Sequence, residues 1–236
     1  MLEVKVWGDY ACFTRPEHKV ERVSYDVMTP SAARGVLEAI AWKPEFYWKV
    51  REIWILNPIR HFGLVRNEVR STVSARTVKG WAKDGEGLYD AETDRTQRYS
   101  LILRDVAYLI RAEIVLKKHA ATDKEPKGAV LNKYETIFNR RVSKGQAFSR
   151  PYLGTREFSA YFAPPDGHEQ AIDHTDELGR MLFDMKYTPK SKGGVTYRQH
   201  GPDGGEWVEG KAEPVFFDAR LEQGILYVPD YYEKVR

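Results

Sequence analysis

A stretch near the middle of the chain, residues 132–146, carries the side chains best suited to chemistry on a phosphate backbone. At about 100° per residue, a helix here has an apolar side made of Tyr134, Phe138 and Val142. A second side is basic and consists of Lys133, Arg140 and Lys144, and Arg141 falls in register with Tyr134. The apolar side should pack against a core, and a basic side next to a glycine loop is suited to hold phosphate. We therefore predict a short helix that ends at Gly145, then a tight basic loop and a strand.

Further arginines extend the predicted phosphate-binding surface beyond this helix. Arg150 follows the glycine loop, and Arg22 lies in a polar, irregular stretch between residues 14 and 28. The remaining candidates lie in a long loop predicted for residues 66–98 and are Arg66, Arg70 and Arg76. Near the glycine loop the alternative is a solvated face with weak surface ion pairs. For the long loop, a nucleic-acid or partner contact and simple disorder both stay open.

Composition limits the classes of protein that the chain represents. The net charge of the 236 residues is only +3, so clustering of arginines rather than total charge would indicate a nucleic-acid partner. No apolar run approaches the ~18 residues that span a bilayer, and the N-terminus begins as a strand rather than a signal peptide. Cys12 is the single cysteine, and no histidine and carboxylate spacing indicates a metal site. We expect a cytoplasmic protein without a metal, a cofactor or a membrane contact.

Hydrophobic periodicity gives the order of the elements that must position these residues. Alternation from Leu2 predicts a strand to about Phe13, and Thr29-Pro30 predicts the start of a helix that Pro44 stops. Aromatic and β-branched residues predict one bent strand or a hairpin over 47–65. Strands are also predicted over 106–116 and 158–162, the first of them with a possible earlier part at 101–103.

This order, strand, helix, strand, strand, helix, strand, is typical of a ferredoxin-like or RRM-like arrangement. Four short strand candidates follow residue 166 and are 182–185, 196–198, 214–219 and 224–228. Turns between them are predicted at Gly193-Gly194 and Asp203-Gly204-Gly205. We therefore predict an α+β protein with a ferredoxin-like/RRM-like N-terminal domain, residues 1–165, and a small antiparallel β-sheet C-terminal domain, residues 166–236.

Short motifs in three parts of the chain follow one another in a specific order. The first group is Gly8-Asp9-Tyr10-Ala11, Phe13-Thr14, Ser24-Tyr25-Asp26-Val27 and Trp42-Lys43-Pro44. The second group is Phe138-Asn139-Arg140-Arg141, Lys144-Gly145-Gln146 and Leu153-Gly154-Thr155-Arg156-Glu157-Phe158. The third group is Leu178-Gly179-Arg180-Met181-Leu182 and Pro214-Val215-Phe216-Phe217. The ordered set covers nearly the whole chain and resembles the CRISPR-associated Cas-five family, subtype I-C.

The resemblance implies both a fold and an activity. Members of this family have an RRM-like domain followed by a small β-sheet domain, and they cleave CRISPR precursor RNA within each repeat, on one side of the stem-loop. They stay bound to the resulting 5′ handle inside an interference complex, and cleavage needs no metal but depends on the ribose 2′-hydroxyl. The expected partners are the CRISPR repeat RNA stem-loop and the other subunits of a type I-C complex, with duplex DNA left open.

In such a reaction the 2′-oxygen attacks the neighbouring phosphorus and leaves a 2′,3′-cyclic phosphate and a 5′-hydroxyl. The attack requires a base, a cation for the charged phosphorane and an acid for the leaving oxygen. By resemblance the catalytic lysine falls on Lys133, but the histidine expected directly after it is Tyr134 and the tyrosine expected before Trp-Lys-Pro is Ala41. We hypothesise that Tyr134 takes a proton-transfer or orienting role, with Tyr47 or His119 as helpers.

An endoribonuclease that processes CRISPR repeat RNA is the function that we expect. The departures at Ala41 and Tyr134 favour a second hypothesis, a non-catalytic subunit that only binds the 5′ handle. A general RRM-like module for RNA or duplexes is the third. If the helix and loop contact phosphates, reversing Arg140 and Arg141 to glutamate should abolish RNA binding and leave the fold intact.

Overall fold

The computed structural model describes residues 1–18, 20–120, 126–190, 194–201 and 204–235. Within these residues it contains ten strands, which are β1 Leu2–Ala11, β2 Arg22–Val23, β3 Phe46–Ile55, β4 His61–Val69, β5 Arg95–Leu116, β6 Tyr161–Ala163, β7 Asp176–Pro189, β8 Val195–Gly201, β9 Gly204–Glu222 and β10 Ile225–Tyr227. The same residues form four α-helices, α1 Pro30–Ile40, α2 Ala75–Asp84, α3 Lys127–Ser143 and α4 Tyr232–Val235, and one 3-10 turn, Lys118–Ala120. The predicted α+β character is therefore confirmed.

The strands join one sheet with the path β6-β1-β5-β3-β10-β9-β7. Nearly all neighbours are antiparallel, and the exception is the two-residue strand β2, which runs parallel to β5. In chain order, β1, α1, β3, β5, α3 and β6 give the predicted strand, helix, strand, strand, helix, strand sequence. The strands of the C-terminal part continue the same sheet through the pairing of β10 with β3. The division of the chain into two domains at residue 165 stays a prediction.

Helix α1 begins where the sequence predicted it. The Thr29 side-chain oxygen accepts a hydrogen bond from the Ala32 backbone N–H at 3.3 Å, and Pro30 occupies the first helical position. Its apolar side is buried against β3, together with the alternate residues Leu2, Val4 and Val6 of β1. Strand β1 ends at Ala11, two residues earlier than predicted, and its register with β5 continues through Gly8 without a bulge.

Strands β3 and β4 correct the prediction for residues 47–65. They do not pair with each other as a hairpin but lie in line along one edge of β5, β3 opposite residues 108–116 and β4 opposite residues 95–103. The interruption between them contains Pro58, and there the Asn57 side-chain amide donates to the Asp105 carbonyl oxygen at 2.8 Å. This matches the bent-strand alternative, and residues 101–103 belong to the same strand as 106–116.

The prediction of a long loop over 66–98 is wrong. These residues contain the end of β4, helix α2 and the start of β5, and with residues 61–65 and 99–103 they form a segment that we call the arm. Most arm residues are exposed, and the more sheltered positions of its strands carry polar residues such as Arg66, Glu68 and Arg98, so the alternation of apolar and polar residues that marks a half-buried strand is missing. Helix α2 has an N-cap hydrogen bond from the Thr77 N–H to the Ser74 hydroxyl and ends at Gly85, but none of its residues is buried.

Helix α3 is longer than predicted, but its orientation is as predicted. Tyr134, Phe138 and Val142 are buried, and the rings of Tyr134 and Phe138 contact Phe46 and Trp48 of β3, with centroids 4.9 and 4.8 Å apart. The strand predicted at 158–162 is reduced to Tyr161–Ala163, since the backbone of 151–160 folds into a compact turn that includes the Leu153 N–H bond to the Phe158 carbonyl at 2.7 Å.

The four strand candidates after residue 166 are confirmed: three are parts of the longer strands β7, β8 and β9, and the fourth, 224–228, contains the three-residue strand β10. Arg34 of α1 ties this part of the sheet to the helix layer, because its guanidinium donates two hydrogen bonds, of 2.8 and 2.9 Å, to the buried carboxylate of Asp184. Of the two predicted turns, Gly193 and Asp203 lie outside the described residues. No helix within the described ranges is long and apolar enough to cross a membrane.

Candidate nucleic-acid interface

The basic side of α3 faces solvent because the apolar side of the same helix is committed to the core. Lys133, Arg140 and Lys144 are all exposed. The Lys133 ammonium lies 5.9 Å from the centroid of the Tyr134 ring. Arg140 and Lys144 make no ion pair with any residue that the structure describes. Their charge is thus available to an external anion.

The residues predicted to be catalytic converge at one end of the sheet, where α1 ends, β3 begins and β5 ends. We call residues 40–47 and 115–120 the basic end. Tyr134 of α3 contacts Phe46 there, and Tyr47 pairs with Val115, one residue before β5 ends. His119 follows within the 3-10 turn, which begins two residues after Leu116. Because successive side chains of a strand point to opposite faces, Tyr134 packs on the Phe46 side of β3 while Tyr47 points to the other face, near Tyr232. A common site of Lys133, Tyr134, Tyr47 and His119 stays a prediction.

Tyr134 and Ala41 occupy interior positions within this region. Tyr134 is 8% exposed and Ala41 is 4% exposed. A buried phenol in contact with Phe46 is placed to orient its neighbours rather than to exchange protons with solvent. Tyr47, on the next position of β3, is only partly buried, and its ring lies 6.3 Å from that of Tyr232.

A lysine at this end was missed when only the helix was considered. The chain contains one lysine followed directly by a histidine, the pair that the resemblance calls for, and it is Lys118-His119. Lys118 is exposed and His119 is partly buried. The signal was present in the dipeptide itself, and the structure adds that it lies at the strand end that carries Tyr47.

Arg141 differs from Arg140 because its guanidinium serves the fold. It donates a hydrogen bond of 2.6 Å to the Ile40 carbonyl oxygen at the C-terminus of α1. The Trp48 indole N–H satisfies the Ala41 carbonyl at 2.8 Å, and the Phe148 backbone N–H satisfies that of Ala39, also at 2.8 Å. Because a helix C-terminus leaves carbonyl groups unpaired, these contacts fix α1, α3 and the glycine loop to one another. A contact of Arg141 with RNA stays a prediction.

The arginines Arg22 and Arg66 lie in an ion-pair network away from the basic end. Both contact the Glu157 carboxylate, at 3.2 and 2.7 Å, and both also contact Glu68. Burial acts to raise the pKa of Glu157, but hydrogen bonds that include those from Arg66 and Arg22 outweigh it and lower the pKa to about 2. Much of the positive charge of these two arginines is thus already balanced within the protein.

The predicted RNA-binding residues therefore divide into two groups. Arg66 is opposite Arg98, eighteen positions before the end of β5, which is roughly 60 Å along an extended strand. Arg70 and Arg76 lie still further out on the arm and are exposed, whereas Arg150 borders a shallow hollow near Tyr10 and Glu157. The α3 cations and the arm arginines do not form one continuous patch.

A cavity beside Lys5 has acidic residues in its lining. It is an open cleft of about 540 Å³ whose lining includes Lys5, Asp9, Asp105 and Asp166. Lys5 forms ion pairs with Asp166 and with Glu169, at 3.6 and 3.1 Å. The cleft is therefore a poor place for a phosphate chain, in contrast to the basic end. Among the described residues, no group of three or more histidine, cysteine, aspartate or glutamate side chains is placed to hold a metal ion.

Fold and site together define an α+β protein with exposed cations at one end of a large antiparallel sheet. The family model for the CRISPR-associated protein (Cas_Cas5) of Cas5d type matches residues 1–229. The chain belongs to this family, which confirms the resemblance seen in the sequence.

Two curated relatives support this membership, and both are named CRISPR pre-crRNA endoribonuclease Cas5d. The relative from Thermus thermophilus is 49% identical over 229 residues, which cover 97% of this chain and 91% of the relative. The relative from Mannheimia succiniciproducens is 40% identical over 241 residues, which cover 98% and 96%.

Two solved structures resemble the fold. One is a functionally uncharacterized protein from Streptococcus mutans, with a TM-score of 0.60 and 19% identity over 98% of this chain and 93% of that chain. The other is a CRISPR-associated protein, with a TM-score of 0.61 and 21% identity over 97% and 91%. At such identities the likeness concerns the fold.

Proposed function

We propose that this protein is an endoribonuclease that cleaves CRISPR precursor RNA within the repeat and stays bound to the 5′ handle as a subunit of a type I-C interference complex. The observation that carries the proposal is the 49% identity, over 97% of the chain, to a protein named CRISPR pre-crRNA endoribonuclease. Its partners would be the repeat stem-loop and the other subunits, duplex DNA would be a further partner to test, and its place would be the cytoplasm.

The proposed fold assignment is a ferredoxin-like, RRM-like domain over residues 1–165 and a small antiparallel domain over 166–236. In support, the four strands of the first part have the order β6-β1-β5-β3, with α1 and α3 as the two connecting helices. This is the arrangement in which two split strand-helix-strand units interleave. The long pair β7 and β9 supplies most of the second part.

The proposed reaction is metal-independent attack of a ribose 2′-oxygen on the adjacent phosphorus. A base removes the 2′-hydroxyl proton, a cation stabilises the phosphorane, and an acid protonates the leaving 5′-oxygen. A histidine titrates near ~6.5 and is suited to either proton transfer at neutral pH, whereas a tyrosine titrates near ~10. His119 is thus the first choice for proton transfer, with Tyr47 as its partner and Tyr134 as an orienting residue.

Two lysines compete for the role of the stabilising cation. Lys133 lies in the α3 stripe with Arg140 and Lys144, a position suited to hold the backbone of the RNA. Lys118 directly precedes His119 in the order that the family resemblance calls for, and both lie at the same strand end as Tyr47. We propose Lys118 as the alternative to Lys133 at the reaction centre, with Arg140, Lys144 and Arg150 as phosphate contacts and Arg22, Arg66, Arg70, Arg76 and Arg141 as further contacts to test.

The experiment incubates pure protein with the cognate repeat RNA in EDTA, beside the same RNA with one 2′-deoxy sugar at the cut. We expect cleavage of the first RNA only, with a cyclic phosphate on the product, because DNA-like sugars lack the attacking oxygen. Lys118→Ala and Lys133→Ala proteins are compared with Lys211→Ala, an exposed lysine of β9, as a control. Loss of the single-turnover rate in one lysine variant identifies the catalytic lysine, and undiminished rates in both would refute the assignment.

A second candidate function is a subunit that binds the 5′ handle without cleaving it. The observation that favours it is that Ala41 and Tyr134, at the positions where the resemblance expects a tyrosine and a histidine, are both interior residues. Tight binding of repeat RNA without any product in the same assay would support this candidate. Equal affinity for unrelated hairpins would instead support a general RNA-binding module.

A further inference from the structure

A hairpin from the C-terminal part of the chain reaches the basic end. His200, near the end of β8, contacts Trp42, and the two ring centroids are 4.8 Å apart with planes inclined by 67°. Trp42 follows the end of α1 by two residues and is 36% exposed. The contact joins residues 158 positions apart in sequence, so the end of β8 lies against Trp42 at the basic end.

Two cations accompany the aromatic pair. Burial is the main reason that the pKa of His200 lies below its ordinary value, and the nearby positive charges of Arg198 and Lys117 lower it further. Both causes favour the neutral imidazole, which is a hydrogen-bonding group beside two positive charges. The Lys117 backbone N–H donates to the Glu45 carbonyl at 2.8 Å, which holds this lysine at the start of β3.

The hairpin presents these side chains on one face. Arg198 and His200 are two positions apart, and their cross-strand partners are Trp207 and Gly205. Trp207 is 73% exposed, which adds a second accessible aromatic ring to the same face. A Cβ atom on Gly205 would lie 2.6 Å from the Arg198 Nε and 2.8 Å from the His200 Nδ1. The bare glycine thus leaves room for both side chains to lie over the hairpin.

We propose that Trp42, Lys117, Arg198 and His200 form a binding subsite for one nucleotide of RNA next to the reaction centre. The proposal rests on the proposed function. The exposed ring of Trp42 stacks on a base, the two cations contact the adjacent phosphate, and the His200 imidazole hydrogen-bonds to the base or the ribose. Aromatic rings interleaved with cations are the usual means of holding a single-stranded nucleotide.

The subsite needs both parts of the chain. Trp42 and Lys117 come from the ends of α1 and β5, whereas Arg198 and His200 come from β8. The C-terminal strands would therefore complete the RNA site rather than only extend the sheet. An acidic segment of a protein partner is the competing occupant for the two cations, but it would make no use of the aromatic rings.

The test measures binding of a repeat RNA that carries a 2′-deoxy sugar at the cut, so that affinity is obtained whether or not the protein cleaves. The variants are Trp42→Ala, Trp42→Phe, Arg198→Gln and His200→Asn, with Arg220→Gln on β9 as the matched control. We expect Trp42→Ala to weaken binding about 5- to 150-fold, since one stacked base contributes that much, and Trp42→Phe to recover most of it. Arg198→Gln should lower the slope of log affinity against log salt by about 0.7, the value for one single-strand phosphate contact.

The outcomes separate the subsite from the proposed function. Weakened binding by the subsite variants in a protein that never cleaves would support the subsite and refute the endoribonuclease. Cleavage together with unchanged affinity in Trp42→Ala and Arg198→Gln would refute the subsite. Normal RNA affinity with lost assembly of the other complex subunits would also refute it, in favour of a protein contact. Thermal melts of each variant show whether a loss of affinity reflects unfolding, and recovery by Trp42→Phe excludes that explanation.

Discussion

Arg140 and Arg141 are neighbours on α3, and the structure assigns opposite consequences to their loss. Arg141→Gln removes a charged hydrogen bond to the Ile40 carbonyl, worth about 1.5–3 kcal/mol, at a helix C-terminus where a cation adds about 0.3–1 kcal/mol. Because Arg141 is only partly buried, water recovers some of this, and we expect the free energy of unfolding to fall by about 2 kcal/mol. Arg140 is exposed, and Arg140→Gln should change the free energy of unfolding by less than about 0.5 kcal/mol.

RNA binding should show the reverse pattern. Arg140→Gln loses a cation that faces solvent, so the slope of log affinity against log salt should fall by about 0.7–0.9, whereas Arg141→Gln should leave that slope nearly unchanged. Urea titration gives the stability of each variant, and binding of non-cleavable repeat RNA at several salt concentrations gives the slope. Equal destabilisation by the two substitutions, or a larger loss of slope in Arg141→Gln, would refute the reasoning. The urea titrations also test the sequence-based expectation that reversal of both arginines to glutamate leaves the fold intact.

Three further predictions concern the fold. Arg34→Ala leaves the buried Asp184 carboxylate without its guanidinium and should cost about 3–5 kcal/mol in urea titrations, whereas Glu38→Ala, which removes only the more exposed partner of Arg34, should cost less than about 1 kcal/mol. The pKa of Glu157 is lowered from 4.5 to about 2, so its contribution to stability is present above pH 4.5 and is lost as pH falls toward 2. Since the Glu157 side chain is 49% exposed, we expect this contribution to be less than about 1 kcal/mol. In Glu157→Gln the melting temperature should therefore depend less on pH in the acid range. Gly154→Ala should lower the melting temperature by more than about 10 °C in calorimetry, because the φ of Gly154 is +86° and a Cβ atom would lie 2.0 Å from the Cys12 carbonyl oxygen. The control Gly145→Ala should lower the melting temperature by only a few degrees, because Gly145 has a φ of +61° but open space around its Cβ position.

Elements with one buried side were predictable from the sequence. The starts of β1 and α1, the strand at 106–116 and the orientation of α3 followed from apolar periodicity, because burial on one side repeats every second residue in a strand and about every 3.6 residues in a helix. The arm was not predictable in this way. Its strands and α2 expose most of their side chains, so their sequence carries no alternation that separates them from a loop.

The residues of the candidate site divide in the same way, into those whose placement follows from local periodicity and those whose placement does not. That Lys133, Arg140 and Lys144 face solvent follows from the burial of Tyr134, Phe138 and Val142 on the same helix. The partner of Arg141 lies 101 residues away in sequence, and Glu157 lies 135 and 91 residues from its partners Arg22 and Arg66. Such pairings arise from the folded topology and leave no local signal. Lys118 is different, because the Lys-His dipeptide was visible and only its position just past the end of β5, the strand that pairs with Tyr47, required the structure.

The small net charge of +3 conceals a strongly uneven distribution. Arg22 and the arm residue Arg66 are balanced by Glu68 and Glu157, and the cleft beside Lys5 is lined in part by carboxylates, so neither region attracts a polyanion strongly. Arg140 and Lys144 of the α3 stripe have no such ion-pair partner among the described residues. A charged chain is steered by the local field rather than by the total charge, so cations without an ion-pair partner attract it more strongly than balanced ones. The helix that fixes the core with Tyr134 and Phe138 thereby also fixes where an RNA backbone would lie relative to Tyr47 and His119.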